Sequence, residues 1–170
     1  PNLSSVKSPQ QCFGAIAKTF LAKKMNVDPA RMRVISIMPC TAKKEESQRP
    51  EMLRNGVPDV DVVLTTREFA RLLKREGHWL PDLEDGGFDN DWMGQYSGAG
   101  EIFGTTGGVM EAALRTVYFV VKGKELPGIT YEAVRGYDRI REAEVDLGGD
   151  IGIVKVAVAH GLKAAKELVE

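Results

Sequence analysis

The sequence predicts an α/β fold, a mostly parallel sheet flanked by helices with a C-terminal antiparallel hairpin. Three observations carry the prediction. Short apolar runs rich in Val and Ile, at residues 32–38 and 60–64, alternate with stretches of helical period. Two of those helical stretches open on capping signatures, Ser8-Pro9-Gln10-Gln11 and Thr65-Thr66-Arg67-Glu68. Farther on, extended runs at 139–147 and 151–159 are joined by Gly148-Gly149-Asp150, a hairpin turn sequence. Alternation builds parallel strands through helical crossovers, whereas a tight glycine turn pairs its strands antiparallel.

The elements follow in order. The opening Pro1-Asn2-Leu3-Ser4-Ser5 is turn-like, with no initiator methionine and no signal sequence, as expected of a segment cut from a longer chain. Ser8 is placed to cap a helix with Pro9 at its first position. Phe13, Ile16, Ala17, Phe20 and Leu21 then recur at helical spacing to about Lys24 and mark the face expected to turn inward, with Cys12 beside it as a buried, inert thiol. Asp28-Pro29 closes the connection to the strand at 32–38. The strand at 60–64 runs directly into the second capping box and a helix to about Glu76. From His78 to Gln95 the chain is rich in Pro, Gly, Asp and Asn, an excursion over the surface. Ser97 to Gly108 is glycine-rich and feeds a helix whose apolar face holds Met110, Ala113, Leu114, Val117 and Val121. Extended segments at 130–135, 139–147 and 151–159 precede a final helix from Leu162.

Composition narrows the function. A chain of 170 residues with 43% hydrophobic and 28% charged residues can bury a core without disulfides. Its net charge of -1 leaves no basic field for nucleic acid, and no stretch approaches the roughly 18 apolar residues of a membrane span. Cys12 and Cys40 have neither CxxC spacing nor a histidine partner, which fits a reducing compartment better than a disulfide framework. A cytoplasmic location is expected, with the periplasm as the other setting.

Among residues that could carry chemistry, Cys40 follows the first strand, where open α/β sheets hold their ligands. With Lys43 and Lys44 nearby its thiolate could serve as nucleophile or soft metal ligand, or the side chain could simply close a turn. Gly98-x-Gly100-x-x-x-Gly104 is one residue off the dinucleotide fingerprint and follows a loop; it permits close backbone approach to a polarised ligand, or serves packing alone. His78 and His160 read as surface or packed residues, and Trp79 and Trp92 as pins for the loop. Asp82, Glu84, Asp85, Asp89 and Asp91 lack calcium-loop spacing and read as a solvated face.

Four motifs, in order, resemble the catalytic domain of iron-only (di-iron) hydrogenases. They are Leu3-Ser4-Ser5-Val6-Lys7-Ser8-Pro9-Gln10-Gln11, then Met38-Pro39-Cys40-Thr41-Ala42-Lys43-Lys44, then Thr65-Thr66-Arg67-Glu68, then the stretch from Ser97 to Arg115. The resemblance implies one lobe of a two-lobed domain. It implies a cofactor made of a four-iron four-sulfur cubane bridged through a cysteine to a di-iron centre carrying CO and cyanide. By position, Cys40 matches one of four cubane ligands and Lys43 the lysine that hydrogen-bonds a cyanide. Pro9, Gln10, Met38 and Phe103 match residues lining the di-iron pocket, Gly104 lies in the loop there, and Ser4 matches a serine of the proton path. Glu101 departs from the small apolar residue usual at its position.

The first and third cluster signatures of the family, with the other three ligating cysteines, are absent from residues 1–170. The resemblance therefore implies a parent enzyme that reduces protons or oxidises hydrogen, and a segment that is inert and cofactor-free alone. Its partners would be the remaining lobe and an electron carrier: ferredoxin, a cytochrome or an NAD(P)H-linked subunit. Two other readings stand beside it. One is a hydrogenase-like iron-sulfur assembly protein, although those relatives generally lose the pocket motifs that Met38-Pro39-Cys40 and Lys43 retain. The other is an anion-binding α/β module that uses the glycine-rich loop.

Overall fold

Serine before proline starts the first helix. In the computed structural model, α1 (Pro9–Ile16) is capped by the Ser8 hydroxyl, which accepts from the Gln11 N–H at 3.5 Å. Residues 4–89, 92–95, 97–134, 136 and 139–170 are described, and the chain divides into two units, Leu3–Met93 and Gly94–Glu170. The expectations for Leu3, Asp91 and Arg135 lie outside the described residues.

In the first unit α1 runs on through one wide π turn, Ala17–Leu21, into α2 (Ala22–Met25). Asn26, in the left-handed region at φ 54°, ends it. The burial of this helix follows the expectation at Ala17 and departs from it at the larger apolar residues. Gln10, Gln11, Gly14, Ala17 and Lys18 are buried, whereas Phe13, Ile16 and Phe20 are about half exposed. The buried face is held by polar partners. Ser36 donates its hydroxyl to Gln10 Oε1 at 2.8 Å, Lys18 pairs with Asp61 at 2.7 Å, and Gly14 packs so closely on the backbone of Asp59 that a Cβ there would meet its carbonyl oxygen at 2.5 Å. Cys12 is correspondingly half-buried rather than enclosed, its thiol donating to the Lys7 carbonyl at 3.4 Å.

Strand β1 (Ile35–Ile37) pairs in parallel with β4 (Val62–Leu64), Ile35 opposite Val62 and Ile37 opposite Leu64. Both are shorter than the apolar runs that announced them. At their entry Asp61 takes the Val34 N–H on its carboxylate at 2.7 Å, so side chain replaces ladder. Between them lie α3 (Ala42–Glu46) and a small antiparallel pair, β2 (Leu53–Arg54) with β3 (Val57–Pro58), turned by Asn55 and Gly56 at positive φ. After β4, Thr65 and Glu68 form the expected capping box of α4 (Thr66–Arg75). The following excursion is exposed, and Lys24 Nζ lies 4.8 Å from the Trp92 ring centroid, a cation–π contact that holds its far end.

In the second unit α5 (Gly98–Ile102) and α6 (Gly108–Lys122) precede an antiparallel sheet ordered β5 (Glu132–Ala133), β6 (Ile140–Asp146), β7 (Ile153–Ala159), then α7 (Leu162–Val169). Gly148 and Gly149, both at positive φ, make the expected turn. Leu114 and Tyr118 of α6 pack with Leu126, Val145 and Leu147 into the core. The tightest backbone approach is at Gly108, where a Cβ would sit 1.8 Å from the Ile102 carbonyl oxygen. Backbone cannot swing aside as a side chain can. Gly108→Ala is therefore expected to destabilise the fold by about 3 kcal/mol, the upper part of the overpacking range, as read by denaturant unfolding; a loss under about 0.5 kcal/mol would contradict the packing of α5 on α6.

Candidate functional site

The site grows from the end of the parallel pair. Met38 donates its N–H to the Leu64 carbonyl at 2.8 Å, the last bond of the ladder. Pro39 has no N–H to continue it, so the chain leaves the sheet there. Cys40 occupies the loop that follows and is exposed, while its carbonyl accepts the Lys43 N–H at 3.3 Å as α3 begins. Lys43 thus stands in the first turn of the helix that starts from the Cys40 loop.

Both strand ends are tied together. Lys44 of α3 pairs at 2.8 Å with Glu68, the capping residue of α4. The Lys44 ammonium first, and then the Thr65 backbone and hydroxyl groups, lower the Glu68 pKa to about 2. The Cys40 loop is thereby fastened across the carboxyl ends of β1 and β4, the position at which open α/β sheets bind ligands.

The N-terminal motif joins the same edge. Lys7 forms an ion pair with Asp59, which is 2% exposed, and the Ser8 N–H donates to Glu46 Oε1 at 3.2 Å. Gln10 spends its carbonyl on Ser36, and its buried Nε2 has no hydrogen-bond partner. Gln11 is fully buried with both amide ends unpartnered. Unpaired buried donors are costly, so Gln10 Nε2 is an observation that points to a ligand.

Lys43 Nζ donates to Glu46 Oε2 at 2.7 Å. Burial pushes the Glu46 carboxyl upward in pKa, but the hydrogen bonds from Lys43 and Ser8 outweigh it and the net shift is down. Glu46 is the residue that the sequence reading missed. In the run Lys43-Lys44-Glu45-Glu46 it looks like another solvated charge.

Of the anticipated residues, Pro9, Gln10, Met38, Cys40 and Lys43 lie on elements joined by these bonds. Met38 is partly buried and Pro9 is exposed. Ser4 is exposed and bonds locally, accepting the Val6 N–H at 3.1 Å. Phe103 and Gly104 follow α5 in the second unit, where both are exposed, as is Glu101. Among the described residues no three His, Cys, Asp or Glu side chains are grouped to hold a metal ion. What this edge brings together is the exposed Cys40 thiol, the Lys43 ammonium paired with Glu46, and behind them the buried, unpartnered amide of Gln10. That set fits a single thiolate contact to iron with donors for a neighbouring anion, and falls short of a complete cluster cage. His78 and the acidic residues Asp82, Glu84, Asp85 and Asp89 lie on the exposed excursion after α4.

The model of the iron only hydrogenase large subunit, C-terminal domain, matches residues 1–170. The periplasmic Fe hydrogenase large subunit of Nitratidesulfovibrio vulgaris is 48% identical over 99% of the chain, which covers 39% of that protein. Cytosolic iron-sulfur assembly component 3 of Pongo abelii is 32% identical over the whole chain, which covers 36% of it. Among solved structures, a variant of the apo FeFe-hydrogenase HydA1 from Chlamydomonas reinhardtii superposes with a TM-score of 0.77 at 38% identity, over 98% of this chain and 48% of that one. The chain spans less than half the length of each of these relatives.

Proposed function

The chain belongs to the iron-only hydrogenase large-subunit family, and on that premise we propose that it is one lobe of a hydrogenase catalytic domain, supplying one face of the active-site cofactor pocket. The observation that carries the reading is the edge formed by Cys40, Lys43 and Gln10 at the carboxyl end of β1. In the parent enzyme the cofactor, a cubane and a di-iron centre with CO and cyanide, would relay electrons from the partner and supply the metal at which protons and hydrogen interconvert. This chain's own residues bind and orient it. Cys40, on a loop held from both strand ends, offers one thiolate to the cubane. Lys43 directs a compact cationic donor at an anionic cyanide, and Gln10 adds a neutral donor from a buried position. Met38 and Pro9 contribute apolar surface that excludes water. The Ser4 hydroxyl passes protons.

The other cubane thiolates come, in this reading, from the rest of a longer chain, and electrons from a ferredoxin, cytochrome or NAD(P)H-linked partner. No helix among the described residues is long and apolar enough to cross a membrane. An assembly protein without hydrogenase activity is the second reading, favoured by the 32% identical relative; the 48% identity to a hydrogenase, together with Lys43 and Gln10 at the edge, favours the enzyme.

Reconstitution tests the proposal. After anaerobic treatment with iron and sulfide and then desalting, residues 1–170 alone are expected to retain no stoichiometric iron and evolve no hydrogen from a reduced dye. The complete matured parent does both. Stoichiometric iron in a monomer of the segment, or a matured parent that evolves no hydrogen, would overturn it.

A further inference from the structure

We infer that Asp59 is a positioning residue whose buried carboxylate holds the Lys7 ammonium and so fixes the strap of residues 4–8, which carries Ser4 and delivers the chain into α1 at Pro9 and Gln10. Its relevance to hydrogen chemistry rests on the function proposed above.

The strap forms neither helix nor strand, so its place depends on what its residues reach. Ser4 accepts the Val6 N–H, a bond within the strap, and Val6 itself is exposed. Neither fixes it to the fold. Lys7 does, reaching across 52 residues of sequence to Asp59, and the Ser8 N–H on Glu46 is a further tie. Asp59 is a firm place to fasten it. Its side chain is buried, its N–H donates to the Met52 carbonyl at 3.0 Å, and Gly14 of α1 packs on its carbonyl oxygen. One residue thus holds the approach to α1 by its side chain and α1 itself by its backbone.

Two aspartates interrupt the apolar run from Val57 to Leu64, and each meets a lysine of the N-terminal segment. Their roles differ. Asp61 also accepts the Val34 N–H and so completes the entry of β1, whereas Asp59 lends its carboxylate to Lys7. Stability is a poor reason for the Asp59 pair. Taking a carboxylate out of water is costly, and a buried ion pair is often replaced by apolar side chains of similar volume without loss. What the replacement forfeits is direction. A charged hydrogen bond has one geometry, whereas apolar contact tolerates sliding, and a strap that must present Gln10 to a ligand cannot slide.

The test uses the complete enzyme, first without its cofactor and then loaded. Its variants are the apolar pair Lys7→Met with Asp59→Leu, the conservative Lys7→Arg, and Arg75→Met with Glu76→Gln, which removes an exposed ion pair as a control. In the cofactor-free protein the apolar pair is expected to melt no more than about 5 °C below wild type. It nevertheless speeds hydrogen exchange at the Ser8 amide about tenfold, the loosening of roughly one hydrogen bond. Lys7→Arg keeps the charged bond and leaves that exchange within about twofold, and the control leaves it unchanged. In the loaded enzyme the apolar pair also moves the cyanide stretching bands and lowers hydrogen evolution about tenfold at equal iron content, while Lys7→Arg and the control do neither. Ser8 exchange unchanged in the apolar pair, or bands and rate both unmoved, overturns the inference. So does an apolar pair that fails to fold or melts lower than that, because the ion pair is then a stability element. A wild-type enzyme without cyanide bands overturns the proposed function instead, while faster Ser8 exchange still supports the anchor.

Discussion

Lys43→Asn in the complete enzyme is expected to cut hydrogen evolution at least about a hundredfold with iron content unchanged, the scale seen when one preorganised donor to developing charge is removed. Lys43 stands in the turn that begins at Cys40, so its ammonium is placed beside the thiolate loop. Asparagine is shorter and uncharged, and replaces neither the reach nor the positive charge that offsets an anionic ligand. Arginine keeps the charge but is planar and longer, so Lys43→Arg should restore only part of the rate. The substitution also strands the buried Glu46 carboxylate. Breaking a buried pair costs several kcal/mol, and because the Lys43 side chain is 25% exposed about 2 kcal/mol is the fitting figure here. Activity must therefore be read well below the unfolding temperature. Near-normal hydrogen evolution in iron-replete Lys43→Asn would refute the assigned role.

Much of this edge was legible because local chemistry decides it. Pro39 ends a strand by lacking a donor, and Cys40 follows it into the loop. Thr65 and Glu68 satisfy each other's backbone groups within one turn, so their spacing alone announces the cap. The C-terminal hairpin is equally local, fixed by glycines that accept positive φ.

What stayed hidden depends on distant partners. Periodicity reports the apolar face of α1 and assumes that it turns inward. Here the inward face carries Gln11 together with Gln10 and Lys18, the last two partnered by Ser36 and Asp61 from remote parts of the chain. Phe13, Ile16 and Phe20 stay half exposed. Glu46 was hidden for a related reason. Its second partner is a backbone N–H 38 residues away, which no spacing rule reaches. Within the glycine-rich loop, the sequence drew attention to 98, 100 and 104, whereas the steric demand falls on Gly107 and Gly108, where α6 starts. A Cβ at Gly98 would meet nothing within 4 Å.

The central claim, that this segment gives the cofactor one thiolate and that Cys40 provides it, is most directly tested by comparing Cys40→Ala with Cys12→Ala in the complete enzyme. Cys12 is half-buried on α1 with its thiol on the Lys7 carbonyl, so it controls for the loss of a thiol as such. Multidentate thiolate ligation is what keeps a cubane in place, and removing one ligand in four leaves an iron open to water and exchange. The account predicts that Cys40→Ala loses the paramagnetic signal of the active-site cubane, its four irons and the CO and cyanide infrared bands, while Cys12→Ala keeps all three. A Cys40→Ala enzyme with the full iron count and unaltered cubane signal would contradict it.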